Sequence, residues 1–345
     1  MSDIGLNVPW YIIPLIVLLQ APDGLGVALI ALIVAGIPTF VVTALLVRPL
    51  IDVLRKRSAQ QTAYEDAPQT HRVKTGTPTM GGLVFAIVPL AALLLHPRRD
   101  TLALAVLVFS CMAIGVCDDV MSIRRKKNRG LRALPKFGLT ALAALLFFLV
   151  LGPQPTILFP FGTVPAWLWY ALSLCVVLAT THAVNLTDGL DGLAAGTIIP
   201  PLFVLLCACH YSSATIGVPL FGGALLGAVC AFLLYNRHPA RVFMGDTGSL
   251  ALGAALAGIA ILTGMQLLLV LVGGVFVAES LSVIIQVASY KTTRRRVFLI
   301  SPLHHHFELI GWPEAVVTTR FWLASLAFSA LGFALLVTLV HARID

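Results

Sequence analysis

Charge is scarce in this chain. Only 11% of its 345 residues are charged, against about 25% in an average soluble domain. With a mean hydropathy of +0.96, an ordinary soluble enzyme, a disordered chain and a coiled coil are excluded. Cysteine is sparse as well. The six cysteines mostly lie inside apolar runs and lack any zinc-type spacing, so neither a disulfide-stapled domain nor a cysteine metal site is indicated. No Gly-Lys dipeptide occurs, which removes the P-loop. GxGxxG, GxSxG and HExxH are missing too, and with them a dinucleotide fold, a nucleophile-elbow hydrolase and a zincin. No Lys or Arg precedes the first apolar stretch, so a cleavable signal is not expected.

What the chain does have is apolar length. Its runs are continuous rather than alternating, which points to membrane helices and not a β-barrel. At about 20 residues per crossing, ten spans are expected, near 26–48, 80–95, 101–117, 137–151, 165–182, 192–208, 218–235, 249–262, 266–288 and 321–340. The second, fourth and eighth need their flanks to complete a crossing. Residues 1–25 carry an apolar stretch too short to span, expected at the membrane surface. The expected fold is therefore an all-α polytopic membrane protein, with residues 1–345 as a single domain.

Positive charge orients it. Of the 23 Lys and Arg, all but Arg98, Arg99 and Arg343 fall on the connections after the odd-numbered spans. The positive-inside rule places those connections in the cytoplasm and both termini outside. The bias also accounts for the net charge of +8 without a nucleic-acid partner. The run Arg124, Arg125, Lys126, Lys127 fits either topology and anionic membrane lipid or attraction of a phosphorylated substrate.

Acids do little to set topology, yet they gather on that same face. Asp118 and Asp119 end an apolar run. Two adjacent anions at the negative end of a helix are unfavourable unless a divalent cation or a lysine relieves them. Asp188 and Asp191, three apart, share a face if helical, with Asn185 just before them. A helix cap would explain one of these acids and a ligand site the pair. Asp246, set among Gly245, Thr247 and Gly248, fits either an N-cap or a cation ligand. Taken together, hard oxygen ligands without clustered cysteine point to Mg²⁺ or Mn²⁺. His304, His305 and His306 do not converge easily on one ion, since neighbours point apart, and suit phosphate or sugar contacts better. Glu279 lies inside the ninth span, where a carboxylate is a functional candidate by default. A hydrogen-bonded core role is the simpler expectation for it. The simplest chemistry for the set is a cation bridging a diphosphate, with the acids holding the cation.

At these residues the sequence resembles a known family. KTGTPTMGG (Lys74–Gly82), GVCDDV (Gly115–Val120), AVNLTDGLDGLAAG (Ala183–Gly196), VFMGDTGSLALG (Val242–Gly253) and SPLHHHFELIGW (Ser301–Trp312) are similar to motifs of the polyprenyl-phosphate N-acetylhexosamine-1-phosphate transferases. Within that group they most resemble the phospho-N-acetylmuramoyl-pentapeptide transferases. The resemblance implies an inner-membrane, Mg²⁺-dependent, homodimeric enzyme with a cytoplasmic site. Its substrates would be UDP-N-acetylmuramoyl-pentapeptide and undecaprenyl phosphate, its products lipid I and UMP. It also implies roles for single residues. Asp118 and Asp119 match the acidic pair, with Asp118 as the base, and Asp246 matches the Mg²⁺ ligand. Lys74, Thr79, Asn185, Asp188, Asp191, Asn236, Phe243, His304 and His305 match the nucleotide-sugar site, while Lys126 and Lys136 match basic positions after the acidic pair. One position departs: Ser122 stands where the family usually has lysine.

Two alternatives share parts of this pattern. A sister enzyme moving another N-acetylhexosamine-1-phosphate would keep the acids and the topology, but GTPTMGG and the triple histidine favour the muramoyl-pentapeptide substrate. A transporter would use intramembrane acids and broken helices, but here the polar residues crowd one face and no inverted repeat is evident.

Overall fold

The computed structural model describes residues 24–56, 76–125 and 130–344. Apart from one two-stranded hairpin, its regular elements are helices. In chain order they are α1 (Leu25–Lys56), α2 (Gly81–Leu95), α3 (Arg99–Arg125), α4 (Ala133–Leu151), the hairpin β1 (Ile157–Leu158) and β2 (Gly162–Thr163), α5 (Ala166–Thr187), α6 (Leu193–Tyr211), α7 (Gly217–Asn236), α8 (Gly245–Leu262), α9 (Gln266–Val272), α10 (Gly274–Thr293), α11 (Leu303–Leu309) and α12 (Glu314–Ile344).

Eight of these helices are long and apolar enough to cross a membrane, and the chain is a multi-pass membrane protein. Each of the ten expected runs is helical, but two depart from a continuous crossing. The second, α2, is a short apolar helix that opens with a 3₁₀ turn. The ninth is broken: α9 and α10 meet at 82°. The break falls at Gly273, whose N–H still donates to the Leu269 carbonyl (2.8 Å), so the backbone stays paired through the bend. The expected flanks appear: α4 begins four residues earlier than the apolar run, and α8 begins at Gly245.

Burial sorts the helices. α6, α7 and α8 are enclosed for most of their length, whereas α1, α4, α5 and α12 turn most of theirs outward. In water such exposed Leu, Ile and Val would be a liability, but against lipid they are the expected surface. The central helix α8 packs chiefly on α3 and α5. Small residues allow this, since Gly82 and Gly248 meet backbone to backbone between α2 and α8. The ends of α3, α5 and α8 and the start of α4 thereby converge, and the polar residues gather there.

Candidate active site

The acidic pair lies within α3, not at its end. The helix runs on through Val120–Arg125 and closes with Arg124 and Arg125, cations suited to its negative terminus. Asp118 and Asp119 are 7% and 8% exposed. Two buried anions side by side need partners, and each has its own.

Asp119 faces the N-terminus of α8. Its Oδ1 accepts the Asp246 N–H (3.1 Å), and its Oδ2 accepts the Thr247 N–H (3.0 Å) and hydroxyl (2.6 Å). It therefore caps α8 from another helix, where the macrodipole favours a negative charge. Gly245 makes room for this. Its φ is +70°, and a Cβ there would stand 2.5 Å from Asp119 Oδ2.

Asp118 faces Lys136, on the first turns of α4. The Lys136 Nζ lies 2.8 Å from Asp118 Oδ1 and also donates to Asp246 Oδ2. Asp118 Oδ1 accepts the Leu131 N–H as well (2.9 Å). The remaining oxygen of Asp246, Oδ1, accepts from Asn185 Nδ2 (2.8 Å), which also reaches Ser249 Oγ (2.9 Å). One ammonium thus sits between two carboxylates from different helices, Asp118 on α3 and Asp246 on α8, the latter 110 residues along the chain from the lysine. The relief expected from a cation or a lysine is provided here by lysine.

The other expected site residues divide between this centre and its surroundings. Thr79 is buried close to Gly245. It belongs to a strand-like segment locked to the loop before α8: Phe243 N–H donates to the Pro78 carbonyl, and Gly81 N–H to the Phe243 carbonyl. Asn236 is 2% exposed and spends its Nδ2 on the Val242 carbonyl (2.9 Å), so it clamps that loop. Lys74 and Lys126 lie outside the described residues, as does most of the N-terminal segment 1–25.

Asp188 and Asp191 do not share a helical face, because α5 ends at Thr187 and turns follow. Gly189 and Gly192 favour turns over a continued helix there. Asp188 ends the helix near the centre. Burial, with Asp246, Asp119 and Asp191 around it, pushes its carboxyl well above the usual carboxylate range. Asp191 engages a different set. Its Oδ2 accepts the Ala240 N–H (2.9 Å) and lies 3.1 Å from His238 Nδ1, while its N–H donates to Glu314 (2.7 Å).

The three histidines also part company. His304 is 1% exposed and held by Glu279, with its Nε2 against Gly189. His305 lies 2.8 Å from Glu308, one turn on, and His306 accepts the Leu299 N–H (3.2 Å). His304 reaches the turn that carries Asp188. Glu279 is a hydrogen-bonded core residue, as expected.

Sequence reasoning gave Thr247 only as a neighbour of Asp246 and passed over Ser249 and His182. Thr247 and Ser249 stand within one turn of Asp246, so helical spacing around that residue was the available signal. His182 stacks on Phe137, ring centres 3.8 Å apart, directly beside Lys136. A histidine inside an apolar span, three residues before Asn185, was its signal.

The glycosyl transferase family 4 model matches residues 101–264, a stretch that holds Asp118, Asp119, Lys136, Asn185 and Asp246. A phospho-N-acetylmuramoyl-pentapeptide-transferase of Oceanobacillus iheyensis is 42% identical over 318 residues, covering 88% of this chain and 97% of the relative. Those of Heliobacterium modesticaldum and Shouchella clausii are 47% and 45% identical, each covering 84% of this chain and 94% and 93% of their own lengths. The chain belongs to the phospho-N-acetylmuramoyl-pentapeptide-transferase family. It is an enzyme of the phosphoglycosyl transferase class, and the acidic centre between α3, the first turns of α4 and the start of α8 is its candidate active site.

Proposed function

We propose that this chain transfers phospho-N-acetylmuramoyl-pentapeptide from its UDP carrier to undecaprenyl phosphate, giving lipid I and UMP, at the cytoplasmic face of the bacterial inner membrane. Family membership supports the substrates. The observation that carries the site assignment is the Asp118–Lys136–Asp246 bridge, a cation held between two carboxylates where membrane helices end. A lipid-borne phosphate and a water-borne nucleotide sugar can meet at such a place.

The residues fit a Mg²⁺ ion. Asp118 and Asp246 offer hard oxygens, and the Lys136 ammonium already marks the point between them as one that accepts positive charge. Asp246 would hold the ion, which would neutralise charge on the diphosphate and leave Asp118 its basicity. Asp119 has both oxygens committed to α8 and serves to hold Asp246 in place.

In the reaction an oxygen of the lipid phosphate attacks the sugar-bearing phosphorus, and the bond to the UMP phosphate breaks. One phosphoanhydride is exchanged for another, so the demand on the protein is positioning and charge neutralisation. Asp118 takes the proton of the lipid phosphate. Lys136 balances the two carboxylates and places a positive charge beside the transferring phosphate. Thr79, Asn185, Asp188 and His304 are assigned to the nucleotide-sugar side, and Lys74 and Lys126 to capture of its diphosphate. Asn236, Phe243, Asp191, His305 and His306 shape the loops around it. The family resemblance supports a homodimer, which cross-linking in membranes would test.

The deciding experiment is Mg²⁺-dependent release of UMP from UDP-N-acetylmuramoyl-pentapeptide by purified protein in detergent, with and without undecaprenyl phosphate. Release that depends on both partners is expected. No release from well-folded protein would reject the assignment.

A further inference from the structure

Glu279 sits six residues into α10, just past the break at Gly273, and is fully buried. Its carboxylate is spent entirely on one neighbour, the start of α11. Oε2 accepts the Leu303 N–H (2.7 Å), Oε1 accepts the His304 N–H (3.2 Å), and Oε1 lies 3.1 Å from His304 Nδ1. Because both oxygens already accept backbone N–H groups, the imidazole nitrogen at Nδ1 is the donor. That fixes the tautomer and leaves the far nitrogen, Nε2, with a lone pair.

Nε2 has no hydrogen-bond partner and is buried. It lies against Gly189, where a Cβ would come within 2.2 Å of it. The Gly189 N–H is committed to the Thr187 carbonyl (2.9 Å) and cannot serve it. An orphaned buried acceptor beside the Asp188 turn is a group waiting for a donor.

We propose that Glu279 is a positioning residue for the nucleotide-sugar site. It holds His304 in the tautomer that presents a lone pair at Nε2, directed at the Asp188–Gly189 turn, where it takes an N–H or O–H of the bound uridine nucleotide. The broken ninth span is what brings a membrane-buried carboxylate under this loop. The proposal rests on the assignment of that turn to the nucleotide sugar.

The test is a double-mutant cycle on the full-length enzyme. Glu279→Gln keeps the volume but presents an amide, whose NH₂ facing Nδ1 favours the opposite tautomer. KM for the nucleotide sugar should rise roughly tenfold, the scale of one lost buried hydrogen bond. Turnover at saturation and KM for undecaprenyl phosphate should stay close to wild type. His304→Gln should raise the same KM, and adding Glu279→Gln to it should cost nothing more. Glu279→Asp, which keeps the carboxylate on a shorter arm, should fall between wild type and Glu279→Gln; it replaces that variant in the cycle if Glu279→Gln fails to fold. Effects that multiply independently, or an unchanged nucleotide-sugar KM, overturn the proposal. A second readout needs no turnover. In ¹⁵N-histidine-labelled protein, the signals lost in His304→Gln should report an unprotonated Nε2 that becomes protonated in Glu279→Gln. A protonated Nε2 in the wild type refutes the proposal, whereas the expected tautomer in a protein without transferase activity would refute only the functional assignment.

Discussion

The replacement Asp119→Asn tests whether the second member of the acidic pair does chemistry or holds the fold. The wild-type carboxylate accepts three hydrogen bonds from the first turn of α8, two from backbone N–H groups and one from the Thr247 hydroxyl. An asparagine amide has one accepting oxygen, and its NH₂ would point at one of those N–H donors. Loss of a cap costs about 0.5–2 kcal/mol, and removing the charge from the positive end of the helix costs a further ~0.3–1 kcal/mol, up to ~2 when partly buried. A loss of about 2–3 kcal/mol in unfolding free energy follows, measured by circular dichroism in mixed micelles. Asp118→Asn should cost much less, since Lys136 keeps Asp246 as its partner. In turnover the order should reverse. Asp118→Asn should depress kcat strongly in stable protein with nucleotide-sugar binding largely intact, while Asp119→Asn loses activity in step with the displacement of Asp246. Unchanged stability in Asp119→Asn together with a collapsed kcat would refute this division, because Asp119 would then have to touch the reacting atoms.

Asp246→Asn should abolish most turnover without recovery at high Mg²⁺, since the amide keeps the size but not the anion a hard cation prefers; near-normal rates would reduce Asp246 to a helix-start residue. Asp188 should give stability a pH slope. Its carboxyl is held above the usual range, so its contribution is complete below that range and is lost as pH rises toward the raised value. Asp188→Asn should flatten that slope, as read from unfolding curves across pH, and an unchanged slope would count against the burial of this group. Reporter fusions should place the Arg295 loop in the cytoplasm and the Arg98 loop outside; the opposite result would break the charge-parity orientation.

Much of this was legible in the sequence because one physical signal is strong. Apolar length located all ten helical runs, eight of them long enough to cross a membrane or nine with the bent pair counted as one. The break at Gly273 was not legible from hydropathy, because the Gly273–Gly274 pair inside a long apolar run barely alters the mean. Nor was the place of the acidic pair within α3. Two adjacent acids closing an apolar run suggested a helix end, but the last turns carry cations that suit a helix terminus and let the helix continue. The spacing of Asp188 and Asp191 misled for a related reason. Three residues apart means one face only in a helix, and the two glycines between and after them turn the chain instead, sending Asp191 to His238 and Glu314.

The remaining question is why a helical membrane bundle can hold this many carboxylates at all. Each would be unaffordable alone in a low-dielectric setting. The solution lies in where backbones touch. A Cβ at Gly115 would come within 2.2 Å of the Asp246 carbonyl, so α3 runs directly against the start of α8. That contact delivers the α8 N-terminus, with its unpaired N–H groups, to Asp119 one turn along α3. The same contact sets Asp118 toward α4, whose early turns carry Lys136. One anion is therefore neutralised by a helix end and the other by an ammonium. Only the ammonium can be exchanged for another cation without unravelling a helix. The fold thus separates a fixed carboxylate, which builds the site, from an exchangeable one, which is free to work with metal and phosphate. Gly115→Ala should push the two helices apart and disturb both at once. The expected result is a joint loss of stability and of apparent Mg²⁺ affinity, and a loss of either one alone would contradict the shared contact.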